Sequence, residues 1–426
     1  MERYGVIVDP MSTGAEYPGA FRAVGVEPVA VLSTEDMSQA CAAGWQPENF
    51  RHVHVADRLD FEALVEVVRA YRPLCVIPGS ETGVELADAL SEAVLPESGN
   101  VAALGSARRD KWAMAEAVRR AGVPHLRQLA SDDPDVVARW LDEHALTDAP
   151  LVLKPPKSAG TDDVHLVASG GDWRSVFAHI HGRVNKLGLR NHAVLVSELA
   201  EGREILVDTY SVDGRHGLVD VCRYDKARRR GRIGIYERVD FLSPDDPDVE
   251  AVWGYTQQVL DAVGIRNGCG HAEIMLTAAG PRLIEVAARP AGGGHQMISK
   301  LATGDNHIER TVRHRVFGEF QPGYELVSFL SGVFISSPAS GTWENAEIFD
   351  EVDALATFHA KHFPATTGDL VEATDDIFTF LAWVILTGSD KAQLDADYAR
   401  LKELERQISI EPVRQGRSDL VPGLTA

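Results

Sequence analysis

The stretch from His271 to Gly294, HAEIMLTAAGPRLIEVAARPAGGG, places two carboxylates, Glu273 and Glu285, inside otherwise apolar runs. With Ala278-Ala279-Gly280 as a three-residue turn and glycine in the left-handed position, the flanks form a hairpin. Glu273 then falls opposite Glu285, Met275 opposite Leu283 and His271 opposite Ala287, while Ile274, Leu276, Ile284 and Val286 point to the apolar face. Like charges directly across an antiparallel pair repel, and burial of a lone carboxylate neutralises it. A divalent cation resolves the conflict. Two carboxylates completed by water and phosphate oxygens suit Mg²⁺. Arg289 shares the parity of Glu285, and a guanidinium at that place points to a developing negative charge such as a phosphate or oxyanion. The run Ala291 to Gly294, with Gly292 and Gly293, permits close backbone approach. The plainer alternative is a surface hairpin whose glutamates face water, and a bulge would put the acids on opposite faces.

The 426 residues exceed one ordinary core and imply two to three domains. Through residue 107, short apolar runs (YGVIVD, EPVAVLS, HVHVAD, LCVIPG) alternate with helical stretches such as FEALVEVVRAYR, which predicts a parallel α/β sheet. Ligands bind at loops after such strands, and PGSETG, with Glu81, is one. From Arg108 the pattern becomes α+β: a helix in RRDKWAMAEAVRRAG, strands in LVLKP, VHLVAS and AVLVSELA, and a hairpin turning at Asp213-Gly214. A small C-terminal α+β domain is expected from residue 322 to 426, which leaves 1–107 and 108–321 as the preceding domains.

A net charge of −21 makes nucleic acid an unsuitable partner. Four scattered cysteines without a C-x-x-C pair argue against a zinc site or disulfide framework and for a reducing compartment. The apolar run at the start is too short for a signal peptide, and FTFLAWVILTG is too short to span a bilayer. The expectation is a cytoplasmic protein without membrane attachment.

Lys154 ends an apolar strand before a proline, where it needs an anionic partner or must snorkel. The small, hydroxylated residues Ser158, Ala159, Gly160 and Thr161 follow and could wrap phosphates through backbone N–H groups. The basic run RYDKARRRGR, with Lys226, reads equally as a solvated loop or as a reach toward acidic substrates. Walker-type, H-E-x-x-H and G-x-S-x-G motifs are absent.

The order of Lys111, Lys154 in VLKP, the small-residue loop, Glu198 and Glu204 in SELAEGRE, then Glu273, Glu285 and Arg289, resembles the ATP-grasp superfamily of carboxylate–amine ligases. Within it, DVCRYDK, YERVDFLSP and EVAARPAGGG look most like the L-amino acid ligases that make dipeptides. The resemblance implies an ATP-grasp fold with a lid near residues 130–205. It implies that Lys111 and Lys154 contact ATP phosphates under a closing loop of Ser158, Gly160 and Thr161. Glu198 and the Leu199 backbone would meet adenine, and Glu204 the ribose. Glu273 and Glu285 would hold Mg²⁺, for which Mn²⁺ can substitute. Arg289 and Gly292 would stabilise the acyl phosphate and tetrahedral intermediate. Glu81, Lys226, His271 and Gly293 would meet the substrates, Glu81 taking an ammonium. An ATP-dependent joining of an L-amino acid to a second amino acid follows. Other acids or amines, or a regulatory nucleotide-binding role, are the alternatives, and a homodimer is left open. Many members carry Asn two residues after the second metal glutamate. Here that position is Ala287, which puts a second ion in doubt.

Overall fold

The computed structural model describes residues 2–229, 232–375 and 379–412. Contacts divide the chain into two compact units, Met1–Arg223 with Phe241–Val327, and Tyr224–Asp240 with Ser328–Ala426. The segment Tyr224–Asp240 thus groups with C-terminal residues rather than with its sequence neighbours.

The first unit opens on a parallel sheet of β1 (Arg3–Val8), β2 (Val26–Leu32), β3 (His52–Val55) and β4 (Val76–Pro78), in the order β3-β2-β1-β4. Val6, Val8, Val29 and Val31 pack with Leu64, Val68 and Leu90 of the crossover helices Phe61–Ala70 and Val84–Val94. This sheet puts the β4 loop, with Glu81, at its C-terminal edge. Gly79 and Gly83 let that loop lie on β1, since a Cβ there would come within 2.7 Å of Asp9 O and 2.5 Å of Val8 O respectively.

A second layer is the antiparallel sheet of β5 (Gln128–Ser131), β6 (Leu151–Lys154), β7 (His165–Val167) and β8 (Val194–Glu198), ordered β5-β8-β6-β7. The helices Pro134–Glu143 and Trp173–Ile180 cover it through Val137, Leu141, Phe177 and Ile180. The second helix stops at Ile180, earlier than the run WRSVFAHIHGRVNKL suggests.

The core of the unit lies under β9 (Gly202–Val212), the start of β10 (Arg215–Arg229), β12 (Gly268–Thr277) and β13 (Gly280–Ala287), with β11 (Arg232–Phe241) completing the numbering. Asp213 and Gly214 turn β9 into β10 with φ of 52° and 78°, the left-handed pair a tight hairpin requires. Ile205, Val207, Ala272, Ile274, Leu283 and Val286 form one face, closed by Val252, Tyr255 and Val259 of the helix Pro247–Ala262. Each fully buried aliphatic side chain there contributes about 1.5–3 kcal/mol.

The second unit is built on β11, β14 (Phe329–Ile335), β18 (Ala382–Gly388) and β16 (Phe358–His362), adjacent in that order. β15 (Gly341–Trp343), β17 (Leu370–Val371) and β19 (Ile410–Glu411) form a small sheet beside it in sequence. The helix Lys391–Glu405 buries Leu394, Leu401 and Leu404 in a core with Val333, Ile335, Trp343 and Val384. The basic run Arg223–Arg232 is mostly strand rather than loop; Arg230 and Gly231 lie outside the described residues. Among the described residues no helix is long and apolar enough to cross a membrane.

Candidate active site

β12 and β13 pair with His271 opposite Ala287, Ala272 opposite Val286 and Glu273 opposite Glu285. Beyond Glu273 the register shifts: Ile274 pairs with Leu283 and Met275 with Arg282. The expected pairing of Met275 with Leu283 is therefore corrected. Ile284 is the extra residue of a bulge, half-buried, while Leu283 takes the core position. The turn is also shorter than expected: Thr277 pairs with Gly280, its Oγ1 donates to Gly280 O at 2.7 Å, and Gly280 has φ 92°. Two side chains hold the edge strand. Tyr255 accepts from Leu283 N–H at 2.7 Å and donates to Pro124 O at 2.7 Å. Met114 Sδ accepts from Val286 N–H at 3.3 Å.

On the face opposite the core, Glu204 pairs with Met275, Leu206 with Glu273 and Asp208 with His271. Glu204, Glu273 and Glu285 thus project together with His271. Lys111 approaches from the start of the helix Lys111–Arg120, where Asp110 caps the N-terminus by accepting from Trp112 N and Ala113 N. Lys111 Nζ lies 3.3 Å, and Lys154 Nζ 3.8 Å, from Glu285 Oε2. Burial works against charge on Glu285, but Lys111, Lys154 and Arg289 prevail and hold its carboxyl well below the usual range. Burial lowers the Lys154 ammonium below its ordinary value, against the pull of Glu285, Glu273 and Glu204.

The loop after β6 is attached to this cluster. Lys111 Nζ donates to Ser158 O at 2.9 Å, and Lys111 N to Pro156 O at 3.0 Å. Gly160 and Thr161 follow with φ of 66° and 60°. A cleft lined by Lys111, Met114, Val118, Gln128, Leu283 and Ile284 opens beside the lysine.

At the other end, Arg289 Nε donates to Glu81 Oε2 at 2.9 Å, joining β13 to the loop after β4. Residues 147–297 match the ATP-grasp domain family. The chain is 29% identical to dapdiamide A synthase of Enterobacter agglomerans over 412 residues, 94% of this chain and 95% of that protein. It is 27% identical to the L-arginine-specific L-amino acid ligase of Bacillus subtilis over 224 residues, 52% and 54% of the two chains. The chain carries an ATP-grasp domain and is similar to carboxylate–amine ligases.

The fold agrees with solved structures. An L-amino acid ligase from Bacillus licheniformis superposes with TM-score 0.68 at 18% identity, covering 97% of this chain and 99% of that one. The ADP complex of an N5-carboxyaminoimidazole ribonucleotide synthetase gives 0.65 at 16% identity, covering 95% and 96%.

Other residues singled out in the sequence have partners of their own. The Glu198 carboxylate is engaged by Arg127, accepting from its backbone N–H and its Nε at 2.8 Å each. Leu199 N–H donates to Pro150 O. Lys226 belongs to the second unit, its Nζ 4.4 Å from the Tyr236 ring centre and 5.1 Å from that of Tyr224. His271 Nδ1 bonds Asp208 Oδ1 at 2.7 Å, part of a buried network with His295, His307 and Asp220. That network supports the glycine run: Ala291 N–H donates to His307 Nδ1 at 3.3 Å, and Thr13 Oγ1 donates to Ala291 O at 2.7 Å. Gly293 and Gly294 then take φ of 63° and 75° before the helix His295–Thr303, while Gly292 is half-buried. Sequence reading missed Arg109, Asp208 and Tyr255. Asp208 was detectable as an acid on a strand of apolar neighbours; the other two carry no local signal.

Proposed function

We propose that the ligase joins the carboxylate of an L-amino acid, or a related acid, to the amine of a second amino acid, through an acyl phosphate, with release of ADP and phosphate. The convergence of Lys111 and Lys154 on Glu285, directly across from Glu273, carries this reading. Two carboxylates on one face form a hard oxygen donor set that fits Mg²⁺. Glu273 and Glu285 would hold it, and once bound it offsets charge on the transferring phosphoryl group. Ala287, opposite His271, adds no further side-chain ligand.

Lys111 and Lys154 hold the nucleotide phosphates under the loop of Ser158, Gly160 and Thr161, and the apolar cleft beside Ile284 takes the base. Glu198 keeps Arg127 in place near it, and Glu204 faces the ribose. Arg289 and backbone N–H groups of Gly292 and Gly293 stabilise the oxyanion formed when the amine attacks. Glu81 receives the substrate ammonium, with His271 as a further substrate contact. Loop closure excludes the water that would hydrolyse an acyl phosphate.

The relative matched along nearly the whole chain is named for one specialised product. The test pool therefore includes non-proteinogenic acids and amines beside the proteinogenic amino acids. With ATP and Mg²⁺, acid- and amine-dependent phosphate release is expected, with a condensed product by mass spectrometry. Absence of substrate-dependent release from the whole pool would leave a regulatory nucleotide-binding role instead.

A further inference from the structure

Two guanidiniums share one carboxylate at the C-terminal edge of the parallel sheet. Arg289 Nε donates to Glu81 Oε2 at 2.9 Å, while Arg109 Nη1 lies 3.4 Å from Glu81 Oε1. The Arg109 side chain is 3% exposed, and neither Nη1 nor Nη2 has a hydrogen-bond partner. Other buried arginines behave differently. Arg310 bonds Asp305 through Nε and the carbonyls of Gln321 and Gly323 through its two terminal nitrogens. Arg108, fully buried, bonds Asp88 and the carbonyls of Val101, Val263 and Gly264, with only Nη2 unpartnered. Those arginines join segments of chain. Arg109 holds Nη1 beside a carboxylate that another arginine occupies, with neither terminal nitrogen hydrogen-bonded.

We propose that Arg109 is the alternative partner of Glu81, and that the exchange between them releases Arg289 for the reaction. This rests on the ligase reading above, in which Glu81 receives the substrate ammonium and Arg289 meets the acyl phosphate. In the structure Arg289 is detained by Glu81 and by its own Pro290 carbonyl, accepting 2.9 Å from Nη1. An ammonium arriving at Glu81 repels the guanidinium of Arg289, which is partly exposed and can swing, more effectively than that of Arg109, which is packed in place. A shift of about half an ångström closes the Arg109 contact to ordinary hydrogen-bond length. Glu81 then keeps a countercharge while holding the ammonium. Arg289, in the same field as Glu285, turns to the anion at the metal carboxylates. Occupancy of the substrate site and readiness of Arg289 become one equilibrium, biased by the differential contact of substrate with the two arrangements. Arg109 is a positioning residue, since it acts through Glu81 and touches no reacting atom.

The test compares wild type, Arg109→Met, Arg109→Lys, Glu81→Gln and the double variant Glu81→Gln/Arg109→Met, using the substrate pair found in the pooled assay. Arg109→Met leaves Glu81 with Arg289 alone, so kcat should fall about tenfold or more while KM for ATP stays unchanged. Glu81→Gln in that background removes the detaining charge. The double variant should then turn over faster than Arg109→Met, with a raised KM for the ammonium-bearing substrate. Arg109→Lys, retaining charge with a single donor head, should lie between wild type and Arg109→Met. A structural role for Arg109 gives no such rescue. A kcat of Arg109→Met within about twofold of wild type, or a double variant no faster than Arg109→Met, overturns the exchange. If Arg109→Met does not fold, the same comparison of Arg109→Lys with Glu81→Gln/Arg109→Lys decides it. Failure of wild type itself to release phosphate sinks the ligase reading instead, so the two failures are distinct.

Discussion

Lys111 Nζ lies 3.3 Å from Glu285 Oε2, on the carboxylate that directly faces Glu273 across the hairpin. The lysines offset one acid of a like-charged pair, and Glu273 and Glu285 together would hold a divalent cation. Glu285→Gln relieves the repulsion with Glu273 but strips the buried Lys111 and Lys154 of the countercharge they share, so the fold should be retained with a lowered melting temperature. ATP-dependent turnover should drop by about a hundredfold or more. Phosphate release at the wild-type rate would remove Glu285 from the metal site.

The bulge makes a prediction opposite to that of a regular hairpin. Leu283 fills the core and Ile284 lines the cleft beside Lys111. Leu283→Ala should cost about 2–4 kcal/mol in denaturant unfolding, and Ile284→Ala less than about 1 kcal/mol. Ile284→Ala should instead raise KM for ATP. The reverse order of stabilities would restore the unbulged register.

Tyr255 holds the bulged strand by accepting from Leu283 N–H while donating to Pro124 O. Tyr255→Phe orphans both backbone groups and should destabilise by about 1–3 kcal/mol. Because Leu283 lies two residues before Glu285, turnover should fall as well. Chemical denaturation and steady-state rates on one preparation check both effects.

His295 gives the fold a pH dependence. Burial disfavours its imidazolium, but Asp220 and Asp208, at 3.0 and 3.3 Å, outweigh burial and push its pKa up to about 9. Its other charged and titratable surroundings are His271, His307 and Cys222. A histidine raised above its unfolded value stabilises fully below about pH 6.5 and loses that contribution as pH rises through the folded value. The melting temperature should therefore decline between about pH 6.5 and 9. In His295→Gln it should start lower and decline less. An identical slope in both proteins would exclude His295 as the source.

Much of the site was legible because it follows from short-range periodicity. The two-residue repeat of a strand puts His271 and Glu273 on one side and Ala272 and Ile274 on the other, and those pairings with β13 occur as the sequence predicts. Lys154 at a strand end was readable on similar grounds. The alternating first hundred or so residues also announce a parallel sheet, since only crossover connections join parallel strands.

What the sequence determined by itself was the two-acid hairpin, the order of Lys111 and Lys154 before it and the α/β class of the N-terminal sheet. Each depends on residues close in the chain, whose spacing fixes their direction. The tertiary structure alone decided the rest. The bulge at Ile284 depends on Tyr255 satisfying the freed N–H of Leu283, 28 positions away. The joint hold of Arg109 and Arg289 on Glu81 spans 208 positions between Glu81 and Arg289. Long-range hydrogen bonds and ion pairs leave no periodic trace, because packing of separate elements, rather than local backbone geometry, sets those distances.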